Sequence, residues 1–150
     1  MNVFDTTRVI RTNILGLVEN LTEKQLNTIP EGYNNNIVWH LGHVLATQQL
    51  LSYGLSGIEI LLSDNIIEEF RKGTAPKTPY SDEDIEELKS LFIEVIDRTE
   101  QDFNDEVFEQ FNSYPTSFGV TLNSIEEAVS FNNVHEALHM GIIMAMRKLV

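Results

Sequence analysis

Apolar residues recur every three to four positions along four separate stretches of the chain, the pattern of amphipathic helices around a shared core. From about Asp5 to Asn20 the stripe is Val9-Ile10, Ile14 and Leu17-Val18, carried on to Leu21. Thr22-Glu23-Lys24-Gln25 has the form of a capping box that opens a short helical turn, ended before Pro30. Gly32 to Asn36 reads as a turn whose asparagines cap a second helix, running from Ile37 to about Gly54. Its apolar residues, from Ile37, Val38 and Trp39 through Leu41, Val44 and Leu45 to Leu50, Leu51 and Leu55, cover most of the circumference. That predicts a buried helix.

Gly54 and Gly57 break this pattern. Asp64 to Lys72 reads as a short helix with Ile66-Ile67 and Phe70 inward, and Gly73 to Pro79 as a loop. A connection of about twenty-five residues exceeds the usual bundle turn and predicts a crossover or a cover over a site. Ser81-Asp82-Glu83-Asp84 starts the next helix, with acidic residues where the helix dipole favours them, and its stripe runs from Ile85 to Phe103. Residues 104–123 lose the helical period and suggest hairpin-like chain. Ser124-Ile125-Glu126-Glu127 reads as a second capping box before a final helix. At ~100° per residue, Ala128, Phe131, His135, Leu138, His139, Ile142, Met146 and Leu149 fall on one side of that helix. The expectation is an all-α four-helix bundle, one domain over residues 1–150, with a long helix 2–3 connection and an irregular segment before the last helix.

Charge and composition narrow the function. Ten basic residues stand against 23 acidic ones, for a formal net charge of −13, and a field of that sign repels nucleic acid. The local exception is Arg71-Lys72 with Lys77, either a solvated loop or an anion-recognition patch. There are no cysteines, which rules out disulfides, thiolate metal sites and cysteine nucleophiles, and fits a reducing cytoplasm. Neither a signal peptide nor a membrane span is legible, so the expected location is cytoplasmic.

The candidate chemistry lies in four histidines, all in two apolar stretches: His40 and His43 in Val38-Trp39-His40-Leu41-Gly42-His43, and His135 and His139 in the final helix. The spacing of His135 and His139 stacks two imidazoles on one helical face, and burial without partners would cost each about 1–3 kcal/mol. A single such histidine is usually a hydrogen-bonded core residue. Two pairs on two buried helices point instead to a shared divalent metal, with His43 or His40 as third ligand. Gln48 and Asn132 are polar residues on the same helices, candidates for supporting the ligands or for ordinary core hydrogen bonds. His135-Glu136-Ala137-Leu138-His139 spells the zinc-protease string, but eleven residues follow it and none is His, Asp or Glu, so a downstream third ligand is missing. Glu136-x-x-His139 also spells half of a di-iron carboxylate motif, which needs further inward glutamates that the second helix does not offer.

Val38-Trp39-His40-Leu41-Gly42-His43 early, and His135-x-x-x-His139-x-Gly141-x-Ile143 followed by Arg147 late, together resemble the DinB/YfiT-like superfamily of small metalloenzymes over nearly the whole chain. The resemblance implies a four-helix bundle with one metal-binding histidine from the second helix and two from the last. It puts the early ligand at the second histidine of Trp-His-x-Gly-His, giving His43, His135 and His139. For His40 three roles stay open on the residues alone: orienting a ligand as an accessory group, closing the site, or a purely structural one. It further implies a divalent metal (zinc or nickel first, iron or manganese next), a homodimer, and a small-molecule substrate. Relatives include transferases and isomerases that use bacillithiol, mycothiol or glutathione, so a thiol-dependent S-transferase is the leading expectation. A metal-dependent hydrolase is one alternative; a non-catalytic ligand- or partner-binding domain with a structural metal is another. Tyr114 and the segment around it are expected to form a pocket wall.

Overall fold

A computed structural model describes residues 2–77 and 79–150. Helix α1 spans Val3–Val18, α2 Glu23–Asn27, α3 Ile37–Gln49, α4 Asp64–Phe70, α5 Asp82–Asn104 and α6 Ile125–Met146. The helix boundaries follow the local chemistry of the chain. Thr22 with Gln25 and Ser81 with Asp84 form complete capping boxes, and the Asn36 side chain accepts from the Trp39 N–H at 2.8 Å. Ser124 caps α6 through the Glu127 N–H, but the box is only half made. The Glu127 carboxylate accepts instead from the backbone N–H of Asn123.

The chain is all-α apart from one small hairpin. Helix α1 packs on α5 and α6, and α3 packs on the same two, so the four long helices close a ring. Helix α3 is buried on nearly every side, as its composition predicts. It continues beyond Gln49 as a π-helical turn, Leu50–Gly54, in place of the regular helix expected there. The long connection that follows places α4 against α3. Within the segment read as hairpin-like, strands β1 (Tyr114–Pro115) and β2 (Thr121–Leu122) pair antiparallel, Tyr114 opposite Leu122. Gly119 supplies the positive φ that its tight turn needs, and the Asn112 N–H donates to the Leu55 carbonyl, tying this segment to the end of the π turn.

One expectation about α6 needs correction. Leu138, placed on the inward face by periodicity, is 47% exposed, while Asn132, Glu136 and Ile143 are buried; Leu149, placed on the same face, lies beyond the end of α6 and is exposed. The inward face is rotated by roughly 60° from the apolar stripe, at ~100° per residue. The cause is a buried ion pair. Arg11 of α1 and Glu136 are both fully inaccessible; Arg11 Nη2 donates to Glu136 Oε1 at 2.7 Å and Nε to Oε2 at 3.0 Å. Arg11 Nη1 donates to the Phe92 carbonyl of α5 at 2.7 Å, and the Asn132 amide donates to Glu136 Oε1 at 2.7 Å. Two charges with most of their hydrogen-bonding capacity met can sit in a core where a lone charge cannot.

Removing one partner leaves the other charged and buried. Arg11→Met is expected to lower stability by about 3–5 kcal/mol, and Arg11→Met with Glu136→Leu to recover most of that loss. Urea unfolding of the two variants and the parent checks the pair; equal losses in the single and double variants would contradict it.

Candidate metal centre

Three of the four histidines converge. One ligand atom from each of His43, His135 and His139 lies within 4.8 Å of the others, and all three residues are buried. Their ring centroids are 5.2 Å apart for His43 and His135, 4.9 Å for His43 and His139, and 4.5 Å for His135 and His139. The Nε2 atoms of His135 and His139 stand 3.1 Å apart. That is close to the roughly 3.3 Å separating two nitrogens bound at ~2.0–2.1 Å to one tetrahedral ion.

The residues around His43 explain the Trp-His-Leu-Gly-His string. Trp39 stacks on the His43 ring, with centroids 4.5 Å apart and planes 12° from parallel, and is itself fixed by its indole N–H donating to Thr74 Oγ1 at 2.9 Å. Gly42 lets α4 approach α3: a Cβ there would lie 2.3 Å from the Phe70 ring, which is itself buried. That approach brings the Phe70 carbonyl to His43, whose Nδ1–H donates to it at 2.6 Å. Nε2 of His43 is thereby left as the ring's acceptor nitrogen. Thr47, one turn further on, donates its hydroxyl to that nitrogen at 3.3 Å.

His40 occupies a different place. Its Nδ1 lies 2.9 Å from Nδ1 of His139. With Nε2 of His139 given to a cation, its Nδ1 would carry the proton and donate to His40. His40 is thus placed to fix the tautomer and tilt of His139. Nδ1 of His135, by contrast, is buried and has no hydrogen-bond partner among the described residues.

Gln48 and Asn132 are not part of this arrangement. Gln48 donates to Ser52 and Thr99, joining α3 to α5, and Asn132 binds Glu136. Glu136, whose position in the sequence invites a protease reading, has its carboxylate committed to Arg11 and Asn132. It is not available as a general base. Gly141 has open space around it and Arg147 is exposed, so neither contacts the cluster.

A cavity of about 410 Å³ opens beside His43 and His135. Leu50, Leu51 and Leu55 of the π turn and its exit form one wall, Phe131 of α6 another, and Tyr114 and Phe118 of the hairpin a third. Tyr114 is therefore a wall residue as expected. Thr47 and Lys72 also line the cavity and were not singled out for it, although Thr47 stands four residues after His43 on the same helical face.

The geometry defines a class: helical proteins with a buried cluster of three imidazoles at the foot of a largely apolar cavity, a donor set compatible with a divalent metal. The family model of the DinB superfamily matches residues 6–143, and the chain belongs to that superfamily. No curated protein matches the sequence.

Desolvation keeps these rings neutral. Burial, reinforced by neighbouring imidazoles, lowers His40 to about 4, His135 to about 3 and His139 to about 2 from an ordinary 6.5. Burial also lowers His43, although the Phe70 carbonyl opposes the fall. In the unfolded chain these groups take up protons near 6.5, and stability rises with pH wherever the unfolded state binds more protons. Protein stripped of metal is therefore expected to lose stability as pH falls from 6.5 toward 4, with no contribution from these groups above 7.5 or so. Urea midpoints of chelator-treated protein at about pH 7.5, 6 and 5 measure it; coincident midpoints would contradict the burial of neutral imidazoles.

Proposed function

We propose that this protein is a metal-dependent enzyme in which His43, His135 and His139 hold a divalent cation, zinc or nickel being among those that neutral imidazoles suit. We further propose that it joins a low-molecular-weight thiol, through its sulfur, to an organic electrophile, the new S–C bond replacing the thiol's S–H bond and the electrophile's bond to its leaving group. The observation that carries the proposal is the cavity: two of the three imidazoles, His43 and His135, form part of its lining. A structural metal has its coordination closed by protein groups, whereas a catalytic one keeps a position open to ligand. The fourth histidine, His40, is not among the residues whose ligand atoms converge, and it does not line the cavity. When bound, the cation would lower the pKa of a coordinated thiol enough to make it a nucleophile at neutral pH.

The chain's own groups contribute positioning and exclusion of water. The Phe70 carbonyl and Trp39 hold the His43 ring, and His40 holds His139. Apolar walls from Leu50, Leu51, Leu55, Phe118 and Phe131 favour an organic electrophile over bulk water, which weighs for thiol transfer over hydrolysis. Thr47, at hydrogen-bond distance from His43 Nε2 and in the cavity lining, is placed to orient a bound ligand.

Protein purified without a histidine tag is expected to carry about one metal ion per chain, and His43→Ala and His135→Ala to lose it while remaining folded. Elemental analysis with circular dichroism tests this; equal metal in all three proteins would remove the centre. Conjugation of monochlorobimane with bacillithiol, mycothiol or glutathione should be accelerated by the parent and not by folded His139→Ala. His40→Ala is expected to keep the ligands but weaken metal affinity about 10–100-fold, as loss of a ligand's hydrogen-bond partner does. Competition with a chromogenic chelator reads that change.

A further inference from the structure

The three basic residues of the connection after α4 have different surroundings. The Arg71 guanidinium pairs with Glu68 at 3.0 Å. Lys77 is not in the cavity lining. Lys72 is, together with His43 and His135, and among the described residues it makes no ion pair with a carboxylate. It also lies close enough to His43 for its charge to disfavour protonation of that ring.

The sign of this lining is opposite to that of the molecule. The chain carries 23 acidic residues against 10 basic ones, yet among the described residues no aspartate or glutamate lines the cavity and one lysine, exposed at its mouth, does. A lone cation at the edge of apolar walls interacts more strongly with an anion than the same lysine fully in water, because those walls keep the local dielectric low. The single charge also limits what it can hold. Arg71 is turned to Glu68, and no helix N-terminus is among the lining residues, so the donors suit a monoanion such as a carboxylate and not a phosphate dianion.

We infer that the cavity takes a molecule with an apolar body and a carboxylate head, and that Lys72 is the specificity-determining contact for that head. Leu50, Leu55, Phe118 and Phe131 receive the apolar part, and the reacting end lies toward His43 and His135. The inference rests on the reading of this cavity as the substrate site of the metal centre.

Calorimetric titration with octanoate and its neutral isostere octanamide tests it, on protein as purified and with metal content measured in the same samples. Octanoate is expected to bind more tightly than octanamide by on the order of tenfold, the scale of one hydrogen bond to a charged group. Lys72→Met should abolish that difference without changing octanamide affinity or metal content, and Lys72→Arg should restore most of it. Persistence of the octanoate preference in Lys72→Met would overturn the inference, since another group would then hold the carboxylate. An equal loss for both ligands would do so too, by showing that Lys72 acts through packing, as would failure of either ligand to bind. Metal content reports separately on the metal centre: parent protein without metal would sink that reading and leave the Lys72 comparison intact.

Discussion

The structure depends on the rotation of one helix, and a buried ion pair sets that rotation. Arg11 on α1 holds Glu136 on α6 while also donating to the Phe92 carbonyl on α5. Three of the four long helices are joined at that point. Glu136 follows His135 directly, and the residues on that face share its orientation. With Glu136 turned into the core toward α1, His135 and His139 are carried round toward α3, where His43 stands. Charge pairing in one part of the core thus positions imidazoles in another. Such a pair adds little net stability over an apolar replacement. Its contribution is to specify one rotation of a helix whose apolar residues lie on several sides.

A second layer of positioning comes from the connection between α3 and α5. Helix α4 is short, but Gly42 admits its Phe70 ring to the surface of α3, and the Phe70 carbonyl fixes the His43 tautomer. The ring, the missing Cβ, the stacked indole of Trp39 and the carbonyl form one unit. In this light the Trp-His-Leu-Gly-His string records three-dimensional requirements at four of its five positions: a platform, a partner for His139, a gap, and a ring whose Nε2 is left as the acceptor.

Much of this was legible in the sequence, and the rest was hidden for physical reasons. The four long helices and their caps follow from periodicity and from residues such as Asn36 and Ser81, because those signals are local. The clustering of histidines in apolar stretches, with the family resemblance they carry, pointed to the region where the imidazoles meet. Arg11 was less visible. It sits four residues after Thr7 and three before Ile14, on the inward face, but a charged residue in such a place reads as surface until its partner is known. Glu136 had the same difficulty, compounded by a string that suggested catalysis. The misplacement of Leu138 followed, since periodicity counts apolar residues and this helix turns a carboxylate inward in preference to that leucine; Leu149 was misplaced because the helix ends at Met146. Gln48 was likewise a polar residue with a partner, Thr99, far away in sequence, and Asn132 bonds to the same Glu136 whose own partner was hidden.

The π-helical turn at Leu50–Gly54 has a meaning for how this cavity can change over time. A π turn accommodates about one residue more than the regular helix it interrupts. Chain beyond it is therefore phased differently from chain before it, by ~100° for a single residue. Losing that residue would let α3 wind on without interruption and swing Leu51 and Leu55 away from the hairpin, altering the cavity without touching a histidine. The space beside the imidazoles is in this sense set by the length of the chain as well as by its side chains. Insertions and deletions at this turn are then a route by which related proteins could exchange one ligand for another while keeping the same three rings.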